Sequence, residues 1–250
     1  MPNSLAYIAA NDASNFLPNQ IGNLAGWIKA DGLNYSDGVS VHTVTDFSVN
    51  NVTLTQTTSA NMPKYRASNF NGKPSLVFDG TTSVLNWTNS NFNSSNKTAF
   101  VVAYAGSNFA APSAFFARAT ADYYLAGGAG LSGAMSYARS DGSQQFVSTA
   151  ADFFANGTPT VNTYRMFLNN PDVTLGFYKN GSTYLTTTLA ASGNGLGIGA
   201  GWVFGAFNAA VAASFSGNIA EFILYTTTLS DLDRRRVERY LGKKWGVSVQ

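Results

Sequence analysis

Two glutamates, one histidine and no cysteine narrow the chemistry open to this 250-residue chain. Glycoside hydrolysis needs two carboxyl groups about 5 to 9 Å apart, one to donate a proton and one to act as nucleophile or base. Glu221 sits in an apolar run and Glu238 in a helical pattern, and no Glu-x-Asp-x-Glu-like array exists. Asp46 and Asp79 are the aspartate pair that could substitute, but both stand in turn contexts where aspartate serves the backbone. His42 leaves a triad a single candidate base and excludes a histidine-rich zinc site. The lack of cysteine excludes a disulfide framework and thiolate metal sites. Asp46, Asn50 and Asn51 have the oxygen chemistry that calcium accepts, and Asx turns explain the same residues. The expectation is a protein that is not an enzyme, with no catalytic residue, no metal ligand and no cofactor.

A sugar-binding site asks for other parts: an exposed aromatic ring for the apolar face of the sugar, and Asn or Asp beside it for the hydroxyls. Two groupings qualify. One is Asp122 with Tyr123 and Tyr124; the other is Trp202, in GAGWVFGAFN, with Asn208. Trp87 and Trp245 read as core.

The elements that must position these residues read as strands. Charged residues are only 11% of the chain and aromatics 14%, amid abundant Gly, Ser, Thr and Asn, a mix that suits many strands joined by tight polar turns. VSVHTVTD, residues 39–46, alternates as a strand with His42, Val44 and Asp46 on one side. VTLTQ follows, then a loop to Pro63. Asn71-Gly72 and Asp79-Gly80 bracket the strand SLVFD. TAFVVAYA, residues 98–105, is apolar nearly throughout and reads as a strand covered on both faces. SAFFARA, YYLAGG, GAMSYAR and QQFVST form a meander, and TYRMFLNN, VTLGFYK, STYLTTTLA and LGIGAGWVF complete the sheets, with a type I′ hairpin at Asn180-Gly181. IAEFILY, residues 219–225, is too apolar for a strand with one wet face.

The period becomes helical only after Ser230, an N-cap with Asp233 three residues on and Asp231 in the first turn. Val237, Tyr240, Leu241 and Trp245 share one side of this helix, Arg235, Arg239 and Lys243 the other, and Gly246 stops it. Asp231 and Glu238 are within reach of some of these arginines. Residues 1–220 carry nine basic and nine acidic side chains, so the formal charge of +2 lies in this last region, and no broad basic field for nucleic acid is evident. Residues 1–25 lack a sustained period and read as an arm that lies over the domain or reaches a neighbour. They contain no basic n-region and an apolar run of only six residues, Leu5 to Ala10, so a secretory signal is not expected, and no segment is long enough to span a bilayer.

Gly26-Trp27 with Asp31, TDFSVNN, NGKPSLVFDGT, GNIAEFILY and YLGKKWG together resemble the concanavalin A-like (laminin G-like) jelly-roll domains common in phage particles and on bacterial surfaces. KNG within VTLGFYKNGSTYL resembles the central hairpin of laminin G-like domains. Two departures stand out: Val44 where such domains usually show tryptophan two residues before the aspartate, and Ser48-Val49-Asn50 where they often show Ser-Gly-Asn. Valine resists positive φ, so that turn is expected to be built differently. The resemblance implies an all-β antiparallel jelly-roll β-sandwich over residues 26–250, with one C-terminal α-helix at about 230–245 packed on it and an N-terminal arm over 1–25. It also implies a non-enzymatic virion-associated surface module, a capsid decoration or tail-attached protein with lectin-like glycan binding. The alternatives are a purely structural virion protein and a glycan-cleaving enzyme. Expected partners are other virion structural proteins, through the arm, and a surface glycan. A homo-oligomer is expected, nucleic acid and membrane insertion are not, and the expected location is the virion surface after synthesis in the host cytoplasm.

Overall fold

The computed structural model describes residues 15–88, 92, 94, 96–106, 113–118, 123–128, 131–138, 144–149, 153–154, 157–169, 172–189, 201–207 and 214–250. Residues 1–14 of the expected arm, and residues 196–200 of LGIGAGWVF, lie outside them. Two antiparallel sheets are packed face to face as a β-sandwich. Across sheet I run β14 (Ser182–Leu189), β13 (Asp172–Lys179), β12 (Thr160–Asn169), β7 (Lys97–Ala105), β16 (Ser216–Tyr225), β5 (Lys73–Asp79) and β4 (Lys64–Phe70), with β1 (Leu24–Lys29) beside the second half of β16. Across sheet II run β11 (Gln144–Ser148), β10 (Leu131–Ala138), β9 (Tyr123–Gly128), β8 (Ser113–Arg118), β15 (Trp202–Phe204), β6 (Leu85–Trp87), β3 (Leu54–Thr55) and β2 (Thr43–Val44). The C-terminal helix α1 spans Asp231–Trp245.

Sheet I is covered twice, which is why its central strands are apolar on both sides. In β7, Ala99, Val101, Ala103 and Ala105 face the inter-sheet core while Phe100 and Val102 face α1. The helix begins as its residue types require: the Asp233 amide donates to Ser230 Oγ at 3.1 Å, and Gly246 ends it with φ 69°. Val237, Leu241 and Trp245 are buried against the sheet, each contributing about 1.5–3 kcal/mol, and Arg235, Arg239 and Lys243 face outward. Residues 15–23 lie over the same end: Phe16 packs edge-on to Tyr240, and the Tyr225 hydroxyl donates to the Pro18 carbonyl at 2.8 Å.

The buried face of α1 also carries charge, which the periodicity did not reveal. Glu238 does not pair with the outer arginines; it points inward, accepts from Arg234 Nη1 at 2.5 Å and from Thr163 Oγ1 at 2.8 Å, and is fully buried. The guanidinium of Arg234 lies 3.9 Å over the Tyr178 ring. Glu221 reaches the same side through a β-bulge. The register of β16 on β7 slips between Ile219 and Glu221, so that Ile219 and Phe222 both face the inter-sheet core although three residues apart. The displaced Glu221 carboxylate, 1% exposed, accepts from Trp27 Nε1, Lys244 Nζ and Trp245 Nε1 at 2.6 Å each, and from the Tyr240 hydroxyl at 3.3 Å.

Two type I′ turns stand where expected, Asn71-Gly72 joining β4 to β5 and Asn180-Gly181 joining β13 to β14, with all four residues at positive φ. The run 39–46 is not one strand. Its first part pairs with the edge of β4, the Tyr65 amide donating to the Val39 carbonyl, and then crosses to sheet II as the two-residue β2. Parity therefore breaks: Val41 and Val44 are both buried, while His42 is exposed and does not share a side with Val44 and Asp46. β4, just past the expected loop to Pro63, is a polar edge strand whose Tyr65 and Phe70 enter opposite clusters.

Replacing Glu221 with Gln turns an amide N–H₂ toward the indole N–H groups of Trp27 and Trp245 and leaves Lys244 with Asp31 as its remaining carboxylate. Glu221→Gln is expected to lower stability by about 2–4 kcal/mol, read as a reduced urea midpoint at unchanged slope. A shift below about 0.5 kcal/mol would remove the carboxylate from its structural role. Lys97 gives a second expectation. Burial, reinforced by the nearby Arg118 charge, depresses its ammonium from 10.5 to about 7. Between those values the unfolded chain binds the extra proton, so this residue makes stability rise with pH over that window. Lys97→Met should be more stable than the parent at acid and neutral pH, with the gap shrinking as pH rises through the window. A gap constant with pH would contradict this.

Candidate functional site

The carboxylates singled out by type are fasteners. Asp46 Oδ1 accepts from the Trp27 amide at 2.9 Å and the Ser48 amide at 2.8 Å, and Oδ2 from Ser48 Oγ at 2.9 Å, so the loop 46–50 is tied to β1. Burial raises the Asp46 carboxyl above its ordinary value, against the pull of those donors. In this loop the left-handed residue is Asn51, φ 47°, which spares Val49, a valine left 85% exposed at the turn. Asn50 turns its amide N–H₂ to the Ala25 carbonyl at 2.7 Å. Among the described residues no group of three or more His, Asp or Glu is placed to hold a metal ion.

Asp79 caps the turn after β5: Oδ1 accepts from the Thr81, Thr82 and Ser83 amides and Oδ2 from Thr82 Oγ1. Burial would push this carboxyl up, but those hydrogen bonds outweigh it and hold it below the usual carboxylate range, so it has no proton to donate. The two aspartates are also far apart. Asp46 hangs on Trp27, which pairs with Ile223, whereas Asp79 pairs with Ser216 seven residues away on β16, a separation of about 23 Å along the strand. No acid and base pair can form from them. His42 is exposed at the edge of the Tyr35 ring, centroids 5.9 Å apart, while the Tyr35 hydroxyl donates to the Thr43 carbonyl.

The expected aromatic platforms separate. Trp202 is 2% exposed and stacked on Phe116, centroids 4.9 Å and planes 8° apart, with Phe92 edge-on at 5.5 Å. It is a core residue, because β15 is an interior strand of sheet II between β8 and β6 and its ring fills the inter-sheet space; it cannot serve as a surface platform. Tyr123 and Tyr124 open β9, opposite Tyr137 and Ser136 of β10, with Tyr124 also opposite Ala117 of β8. Asp122 and Asn208 lie outside the described residues. Val203 pairs with the same Ala117, so the two groupings sit on one sheet with β8 between them, their backbones about 10 Å apart.

A surface that residue types did not flag lies on the outer face of sheet I, beyond the reach of α1. Tyr104, Asn218, Val77 and Lys64 form one row across β7, β16, β5 and β4. Asn218 Oδ1 accepts from Asn69 Nδ2 at 2.7 Å and from Ser75 Oγ at 3.0 Å, and the Tyr104 hydroxyl donates to the Asn69 carbonyl at 3.2 Å. Beside the row, Asp37, Arg66, Ser68, Asn69 and Val77 line an open depression of about 380 Å³. Asp37 accepts from the Ala67 amide at 2.9 Å, its largest cause of a lowered pKa, and from Arg66 at 3.2 Å. The result is a shelf of amide, hydroxyl and guanidinium groups, suited to hydroxyl-rich ligands. The signal for it in the sequence is faint: KYRASNF has no clean alternation.

No protein-family model and no curated protein sequence matches the chain. Solved structures do share its fold. The binding domain of Paraclostridial Mosquitocidal Protein 1 aligns with a TM-score of 0.61 at 14% identity, over 86% of this chain and 52% of that one. Domain 4 of AbnA, an extracellular arabinanase of family GH43 from Geobacillus stearothermophilus solved in complex with arabinotriose, aligns with a TM-score of 0.58 at 14% identity, over 84% of this chain and 96% of that one. The ligand-binding domain of botulinum neurotoxin serotype D, solved with N-acetylneuraminic acid, gives a TM-score of 0.56 at 10% identity, over 86% and 50%. The chain thus spans about half the length of the toxin structures and nearly all of the arabinanase module, and it has the β-sandwich fold of binding domains.

Proposed function

We propose that this chain is a non-enzymatic, lectin-like glycan-binding module carried on a virion surface. The observation that carries glycan binding is the alignment with nearly the whole of an arabinanase module solved with arabinotriose. The toxin domain solved with N-acetylneuraminic acid adds a second sugar complex on the same fold. The non-enzymatic reading is supported by Asp46, Asp79, Glu221 and Glu238, whose carboxylate oxygens are taken up by protein donors. The virion setting rests on the resemblance of the turn and core motifs to domains of phage particles, with the N-terminal arm as the contact to other virion proteins. The sugar site is assigned to Tyr123 and Tyr124 at the start of β9, with Asp122 preceding them in sequence, and the polar shelf around Arg66 is the second surface for hydroxyl contacts.

A glycan panel that includes arabinotriose and sialylated sugars tests this, using the parent protein beside Tyr124→Ala, Arg66→Ala and Trp202→Ala. The expected result is saturable binding that falls about tenfold or more in Tyr124→Ala. Trp202→Ala should instead unfold more easily by about 3–5 kcal/mol, because it removes a packed core ring. Binding lost only in Arg66→Ala would move the site to the shelf. A folded parent protein that binds no glycan would overturn the proposal and leave the purely structural virion role.

A further inference from the structure

The outward face of α1 holds the protein's excess charge. Residues 221–250 contain six basic and four acidic side chains, the whole of the formal +2. Every one of the four acids is engaged: Glu221 by Lys244 at 2.6 Å, Asp231 by Arg165 at 2.5 Å, Asp233 by Arg236 at 3.3 Å and Glu238 by Arg234 at 2.5 Å. Arg235, Arg239 and Lys243 are left over. All three are exposed, and none has a salt-bridge partner among the described residues. Four residues apart, they form one straight ridge with a step of about 6 Å and a length of about 12 Å. Like charges at this spacing weaken a helix slightly, and nothing in the packing of α1 calls for them.

We propose that this ridge is a binding rail for an acidic polysaccharide, a uronate or sialate polymer whose carboxylates repeat along its length. The proposal rests on the glycan-binding reading above and adds the charge class of the glycan. Two guanidinium forks and an ammonium in line suit successive carboxylates, with arginine able to engage each in a bidentate manner. The rail is also held rigid, since the opposite face of α1 is fixed to sheet I by Glu221 and Glu238. A second copy of the chain offers no matching acidic strip among the described residues, where Asp31, Asp37, Asp46 and Asp79 are each taken by a partner and Asp172 is a single half-buried acid at the start of β13. Nucleic acid fits less well: residues 1–220 carry nine basic and nine acidic side chains, so no broad basic field extends the ridge.

The test is binding of the full chain to polygalacturonate, to neutral arabinan and dextran, and to a single-stranded DNA oligonucleotide, at low and high salt. The parent is compared with the triple variant Arg235→Gln, Arg239→Gln, Lys243→Gln and with Arg239→Gln alone, each checked by thermal unfolding. Polygalacturonate should bind the parent at low salt, weaken with added salt, and lose about tenfold or more in affinity in the triple variant, while binding of any neutral glycan is unchanged. Equal affinity in parent and variant overturns the rail, as does no binding of polygalacturonate by a parent that still binds a neutral glycan; in both cases glycan binding itself survives. Tighter binding to DNA than to polygalacturonate also overturns it. A parent that binds no glycan of either kind overturns both readings. Should the triple variant fail to fold, Arg239→Gln decides by the same measurement.

Discussion

The carboxylate of Glu221 is the constraint around which the rest of the molecule is arranged. Removing a carboxylate from water costs several kcal/mol, which is recovered only when its oxygens are fully hydrogen-bonded. Here the four donors come from two distant parts of the chain: Trp27 on β1, and Tyr240, Lys244 and Trp245 on α1, with Lys244 also held by Asp31 at 2.9 Å. Strand, bulge, first strand and last helix therefore satisfy one another, and none of them has its polar groups matched until the others are present. Glu238 repeats the device a few residues away, linking α1 to β12 through Thr163.

That use of carboxylates shapes what the surface can do. Acid and base chemistry needs ionisable groups that can exchange protons with a bound substrate. In this fold Asp79 is held ionised by four donors of its own turn, Asp46 is enclosed by β1 and its loop, and the two glutamates are covered by the helix. Among the described residues the outward groups include a shelf of amides and hydroxyls on sheet I and a cationic ridge on α1. The proposed binding role draws on this distribution.

Much of the architecture was legible where one residue type answers one local demand. Asn-Gly at both hairpins, Ser230 and Gly246 at the helix ends, and the largely apolar runs of β7 and β16 each have a single physical reading. Legibility failed wherever alternation was broken by geometry. The bulge at Ile219 and Glu221 changes which face a residue meets, the crossing of 39–46 between sheets brings Val41 and Val44 inside together, and the polar edge strand β4 lacks a period to read. Trp202 reads in the sequence as an exposed platform because strand membership alone does not say which way a ring points; β15 sets it between Trp87 and Arg118 in the middle of a sheet, with its ring in the inter-sheet core. The shelf was invisible because it joins β7, β16, β5 and β4 at positions far apart in sequence.

The central claim is that this sandwich retains a glycan and leaves it intact. Prolonged incubation of the purified protein with a polysaccharide it binds, followed by measurement of chain length and of new reducing ends, addresses it most directly. The account predicts an unchanged size distribution and no reducing ends above the protein-free control. New reducing ends that disappear in Asp79→Asn would contradict it, because they would require that carboxylate to serve chemistry and not the turn it caps.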